Sequence, residues 1–69
     1  MNVAKHIRRA RKAKGLNQSE LARLLEVSRS TVLTWEKGGP GPKLDDLPKI
    51  ARALDTTVAE LIGAAARAS

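Results

Sequence analysis

The stretch SRSTVLTWE, residues 28–36, carries the side chains best suited to binding another molecule. If it is helical, Arg29, Ser30 and Thr34 fall within about one and a half turns and share a polar face. A guanidinium offers five N–H donors in a rigid fork, and hydroxyls both donate and accept hydrogen bonds. Glu36 is the single acid in the stretch. This face is therefore equipped to bind an acceptor-rich partner.

Residue types that catalyse reactions or hold metals are scarce. The chain has no cysteine and one histidine, His6, which excludes disulfides, thiolate metal sites and zinc fingers. We expect His6 near solvent, in the basic N-terminal segment. A chain of 69 residues has a marginal core and no room for a deep cleft between lobes. Several of the acids stand where helices begin: Glu20, Asp45, Asp46 and Glu60. We expect no enzymatic activity, no cofactor, no metal site and no small-molecule ligand.

The charge of the chain indicates a polyanionic partner. Its net charge is +6 and its pI about 10.6, and the cations crowd the first fourteen residues, ahead of the first acid, Glu20. The alternative is an ordinary solvated helix face. A membrane-surface helix is less favoured, because Val3 and Ile7 are the only sizeable apolar residues between Met1 and Leu16 and no aromatic anchor is present.

Apolar periodicity and capping residues predict five helices and no strand. The first covers residues 2 to about 14 and ends at Gly15; the fourth starts near Asp45 or Asp46, with Pro48 in its first turn. Asn17, Ser28 and Thr57 cap the second, third and fifth. The apolar residues expected to face inward are Val3, Ile7 and Ala10 in the first helix, Leu21, Ala22 and Leu25 in the second, Val32 and Trp35 in the third, Leu47, Ile50, Ala51 and Leu54 in the fourth, and Val58, Leu61 and Ile62 in the fifth.

The second and third helices are separated by only two residues, Glu26 and Val27. Such a break turns the chain by roughly 90–120° and predicts a helix-turn-helix, in which the polar face of the third helix protrudes. Residues 1–63 are expected to form this domain. Residues 64–69 are expected to be a flexible tail.

Two segments of the chain resemble the Cro and phage-repressor type of helix-turn-helix, the lambda-repressor-like or XRE-like domain. They are LNQSELARLLEVSRSTVLTWEKG and LPKIARALDTTVAELI. The likeness covers roughly residues 5–63. It implies an all-α, compact five-helix domain that places its third helix in the DNA major groove and usually dimerises on two-fold operators. Glu26 and Asp55 stand where the family often has a left-handed glycine, and Leu33 where it is often polar.

The resemblance assigns base-reading positions to Arg29, Ser30, Thr34 and Gln18, and a phosphate contact to Arg11. The residue types and their places in the chain add Leu33 as a base contact, and Ser28, Thr31, Lys37, Gly39 and Lys43 as phosphate contacts.

Each assignment has a simpler alternative. Arg29 can donate to guanine O6 and N7, or it can contact phosphate or solvent. Leu33 can meet a thymine methyl, pack on another protein or cover the edge of Trp35, which is itself expected in the core. Gly39 can donate its amide to phosphate or simply end the third helix. Arg11 is expected to pair with Glu36.

These features predict a sequence-specific regulator that binds double-stranded DNA, acts as a repressor and is cytoplasmic. The alternative is a protein-interaction module on the same fold, such as an antitoxin that binds a toxin and autoregulates its operon. A weak homodimer, or a dimer formed on DNA, is expected through helix five. Its surface would be Val58 and Ile62, joined by Ala65 and Ala66, unless the first two are simply core.

Overall fold

The structure is a computed structural model that describes residues 3–63. Within this range the chain forms five α-helices and no strand, and a 3₁₀ turn over Leu44–Asp46 leads into the fourth helix. The all-α, five-helix prediction is confirmed, while the predicted tail, with Ala65 and Ala66, lies outside the described residues. The helices are α1 Val3–Ala13, α2 Gln18–Leu25, α3 Arg29–Glu36, α4 Leu47–Ala53 and α5 Val58–Ile62.

Three helices, α2, α3 and α5, begin at the predicted caps, whereas α4 begins at Leu47, directly after the 3₁₀ turn. Asn17 and Glu20 form a capping box at α2: the Asn17 side chain accepts from the Glu20 N–H at 2.7 Å, and Glu20 accepts from the Asn17 N–H at 2.8 Å. The Thr57 hydroxyl accepts from the Glu60 N–H at the start of α5. Each cap satisfies backbone donors that the helix itself cannot.

Four of the helices, α1 to α4, end in the same way. Gly15, Glu26, Gly38 and Asp55 have positive φ angles of 78°, 59°, 88° and 58°. After each of them, the next N–H donates back to a carbonyl five residues earlier, as Val27 does to Ala22 at 3.0 Å. This geometry reverses the chain abruptly. It allows α3 to restart directly after α2.

Helix packing follows from the apolar stripes. α2 packs against α3 and α4, while α1 packs against α3 and α5. Leu25, Val27, Val58 and Ile62 are half-buried and pack against the core. The buried core consists of Ile7, Leu21, Ala22, Val32, Trp35, Leu47, Ile50, Ala51, Leu54 and Leu61.

His6 is more enclosed than the sequence predicts. We expected it near solvent on the basic helix, but it is half-buried and its ring lies against Gly63, at the end of α5. A Cβ on Gly63 would overlap the His6 ring, which would have to move aside. The φ of 69° at Gly63 independently favours glycine.

Across residues 3–63, no helix has the length and apolar character needed to cross a bilayer. The longest, α1, has 11 residues.

Candidate nucleic-acid interface

α3 divides its residues between the core and the outside. Val32 and Trp35 are buried, whereas Arg29, Ser30 and Thr34 are exposed. Three of the five predicted base-reading residues therefore lie together on the exposed side of the helix. Leu33, predicted among them, is half-buried, and Trp35 occupies the core as expected.

The N-terminus of α3 is closed by Ser28 and Thr31. The Ser28 hydroxyl accepts from the Thr31 N–H at 3.1 Å, and the two hydroxyls lie 2.9 Å apart. A hydroxyl has one donor and two acceptor positions. One hydrogen of this pair therefore remains able to donate to a phosphate oxygen.

The C-terminus of α3 is tied to α1 and α2 through Glu36. Arg11 donates to its carboxylate from Nε at 2.6 Å and from Nη2 at 2.9 Å, while the third donor of Arg11, Nη1, bonds the Leu16 carbonyl at 2.9 Å. The Gln18 side-chain amide donates to the same carboxylate at 3.2 Å. The predicted Arg11–Glu36 pair is present, and it is buried: the two residues are 8% and 7% exposed.

The charges of this network stabilise one another. The hydrogen bond to Glu36 raises the pKa of Arg11, against the lowering effect of burial. Burial by itself would raise the pKa of Glu36. Hydrogen bonds from Arg11 and Gln18, with the charges of Arg11 and Arg8, outweigh it and hold the Glu36 pKa below its ordinary value. Both groups therefore stay ionised at neutral pH.

A polar depression joins the predicted contact residues on α1, α2 and α3. Its volume is about 370 Å³. It combines two guanidinium groups with the amino end of α2, whose N–H groups carry partial positive charge. It is therefore suited to an anion of phosphate size. Its lining residues are Arg11, Asn17, Gln18, Ser19 and Arg29.

The segment after α3 ends the helix in the same way as the other helix ends. Gly38 has a φ of 88°, and the Gly39 N–H donates to the Thr34 carbonyl at 3.3 Å. The Gly38–Gly39 turn therefore ends the helix, and the Gly39 amide already has an internal acceptor. Lys37 and Lys43 are exposed. The Lys43 N–H donates to Asp46 at 3.3 Å, at the start of the 3₁₀ turn.

The structure also adds residues that the sequence did not single out. Arg8 lies close enough to Glu36 to lower its pKa; its spacing of three from Arg11 was the available signal. Leu24 and Leu44 are 57% and 82% exposed. Leu24 falls outside the Leu21–Leu25 stripe, which marks it as outward-facing.

Comparison with known proteins agrees with this architecture. A family model described as helix-turn-helix matches residues 7–61. A transcriptional repressor of the cryptic phage CTXphi from Vibrio cholerae, RstR, is 39% identical over 56 residues, covering 81% of this chain and 50% of the repressor. An uncharacterised HTH-type transcriptional regulator of Methanothermobacter thermautotrophicus is 48% identical over 48 residues, or 70% of each chain.

A solved structure is similar over nearly its whole length. The restriction-modification controller protein C.AhdI from Aeromonas hydrophila superposes with a TM-score of 0.80 at 38% identity, covering 87% of this chain and 91% of that one. The chain spans about half the length of the phage repressor that it matches. With the fold, the turn between α2 and α3 and the family match in agreement, the chain belongs to the helix-turn-helix family.

Proposed function

We propose that this chain recognises a specific sequence in double-stranded DNA and represses transcription by occupying an operator. The observation that carries the proposal is the placing of Arg29, Ser30 and Thr34 on the free side of α3, beside the depression that Arg29 shares with Arg11 and Gln18. Side chains that can read bases are thus joined to groups that can hold phosphate. Binding to the operator is enough to block polymerase, so this function requires no catalysed reaction and no cofactor.

Recognition divides between two sets of residues. Arg29 donates to guanine O6 and N7, Ser30 and Thr34 contact neighbouring base edges, and Leu33 adds apolar contact where a thymine methyl is near. Gln18 is bound to Glu36, so in this proposal it contacts the first base or phosphate with its remaining amide groups. Backbone contacts position the domain and come from Arg11, Ser28, Thr31, Lys37 and Lys43, with Gly39 allowing close approach.

We further propose that two copies bind one operator, because a single α3 covers only about half of a typical site. Val58 and Ile62 on α5 are half-buried. They therefore retain apolar surface that a second copy can cover. The buried area is small, so the dimer is weak in solution or forms on DNA. The proposal includes a cytoplasmic location, because a repressor must reach the DNA to which it binds.

The experiment that tests this function is selection of bound duplexes from a randomised library at near-physiological salt. The expected result is an inverted repeat whose half-sites lie about one helical turn apart, roughly 10 base pairs. Salt-sensitive binding without any enriched sequence would overturn sequence-specific recognition. It would leave the chain as a nonspecific DNA anchor.

A further inference from the structure

The outer face of α1 carries a stripe of cations that the proposed base and phosphate contacts do not use. Arg8, Arg9 and Lys12 are exposed, and their spacing places them on one face of the helix. Lys5 continues the same face by one turn. We call this surface, Lys5, Arg8, Arg9 and Lys12, the α1 basic stripe.

The stripe is unfavourable for the domain on its own. α1 contains no acidic residue, so Arg8 and Arg9 each face Lys12 as a like charge at helical spacing, which destabilises a helix. Three acids lie near α1: Glu36 is bound to Arg11, Asp55 lies 3.8 Å from Lys14, and Glu60 lines a shallow depression with Arg9. They are fewer than the cations of this helix. An external polyanion would relieve this repulsion.

The composition of the stripe favours nucleic acid over protein. Val3, Ile7 and Ala10, the larger apolar residues of α1, are turned toward the core. The stripe therefore lacks the apolar or aromatic anchors that protein interfaces use. A highly polar, strongly positive face is typical of protein–DNA contacts.

The position of the stripe connects it to the proposed reading face. Arg8 precedes Arg11 by three residues on α1, and Arg11 lines one depression with Arg29 of α3. Arg11 also binds the carboxylate of Glu36, the last residue of α3, directly. From Lys5 to Lys12 the helix advances about 10 Å, and a DNA duplex carries about six phosphates over that length.

We infer that the α1 basic stripe binds the sugar-phosphate backbone of duplex DNA that flanks the half-site read by α3. This inference rests on the proposed function and extends it. The domain then covers more DNA than its base contacts require. The added contacts are independent of the flanking sequence.

The test compares two duplex lengths. One duplex holds only the selected half-sites, and the other extends them by about ten base pairs of arbitrary sequence on each side. Binding is measured by fluorescence anisotropy between 50 and 200 mM salt, on selected and scrambled cores. Wild type should gain about 3–10-fold in affinity on extension, and its plot of log affinity against log salt should steepen by about 1–2, or roughly 0.9 per added phosphate.

The variant R9Q/K12Q should lose both the affinity gain and the added salt dependence, while binding the short duplex as wild type does. Its matched control is K49Q/R52Q, which removes two exposed cations at the same spacing from α4 and should keep both gains. Circular dichroism melts confirm that each variant is folded.

Three results would overturn the inference: no gain for wild type, a gain retained by R9Q/K12Q, or an equal loss in the control. The first two would show that the stripe does not bind flanking DNA, and the last would show that the gain depends only on the net charge of the domain. Failure of the proposed function would give a separate result: wild type would bind the scrambled and the selected short duplexes with equal affinity.

Discussion

Arg11 and Glu36 lie 25 residues apart in the chain and join α1 to the end of α3 through two hydrogen bonds, at 2.6 and 2.9 Å. Both residues are less than a tenth exposed. All three donor nitrogens of Arg11 have protein acceptors, the third being the Leu16 carbonyl. The pair therefore fixes how the outer face of α3 is presented relative to α1.

Removing one partner should cost more than loss of an exposed ion pair. Glu36→Ala leaves the Arg11 guanidinium buried without its counter-charge, so we expect the free energy of unfolding to fall by about 3 kcal/mol. DNA affinity should fall with it, because Arg11 loses its orientation beside the proposed phosphate site. Urea unfolding and anisotropy measure the two effects. Unchanged stability would show that the pair is not structural.

A double variant separates packing from charge. Arg11→Met with Glu36→Leu replaces the pair by apolar side chains of similar reach, and such replacements are often close to neutral for stability. We expect most of the stability to return and the DNA affinity to stay low. Recovery of affinity as well would contradict a role for Arg11 in DNA binding.

Stability should depend on acid pH through Glu36. The ordinary pKa of this carboxyl is 4.5, and in the folded chain it is lower. Between these two pKa values the unfolded chain binds more protons, so the free energy of unfolding rises with pH. The contribution is complete above about pH 4.5 and is lost as pH falls through the folded pKa. Urea midpoints from pH 2 to 6 should rise less in Glu36→Gln than in wild type; parallel curves would contradict this assignment.

The sequence predicts the helices and core well because both depend on local spacing. The cap at Asn17 and the apolar stripe from Leu47 to Leu54 can be recognised from residues that are three or four positions apart in the sequence. The burial of the Arg11–Glu36 pair and the contact of His6 with Gly63 are not visible in this way. They depend on how α1, α3 and α5 pack, which joins residues far apart in the sequence. The contacts of Arg29 remain predictions for a similar reason: they depend on a partner molecule.

Glu26 should be a site where a substitution stabilises the domain. Its φ of 59° costs a residue with a Cβ of order 1 kcal/mol, and glycine avoids this cost. The greater entropy of glycine in the unfolded chain offsets part of this gain. The net effect of Glu26→Gly should be a rise of about 0.5–1 kcal/mol in the free energy of unfolding. Glu26→Ala is the control, since it removes the carboxylate and keeps the strain. Equal effects of the two variants in urea unfolding would assign the gain to charge.

Ile62 provides a test of the proposed pairing of two copies. A glutamate at this half-buried position places a charge on the apolar surface of α5, so Ile62→Glu should weaken self-association. Sedimentation of the domain on a two-half-site duplex should change from two copies to one. Ala59→Glu is the matched control, because Ala59 is exposed on the same helix. Equal stoichiometry for Ile62→Glu and wild type would place the dimer surface elsewhere.

Substitutions of Arg29 and Lys43 should weaken DNA binding in different ways if Arg29 contacts bases and Lys43 contacts phosphate. Arg29→Ala should relax one position in each half-site and cost about 1–3 kcal/mol on the preferred base there. Lys43→Gln should weaken all sequences about equally and lower the salt slope by about 1, because it removes one phosphate contact. Repeating the duplex selection and the salt titration with both variants measures both properties. Uniform weakening by Arg29→Ala would make Arg29 a phosphate contact, and base recognition would then rest on Ser30 and Thr34.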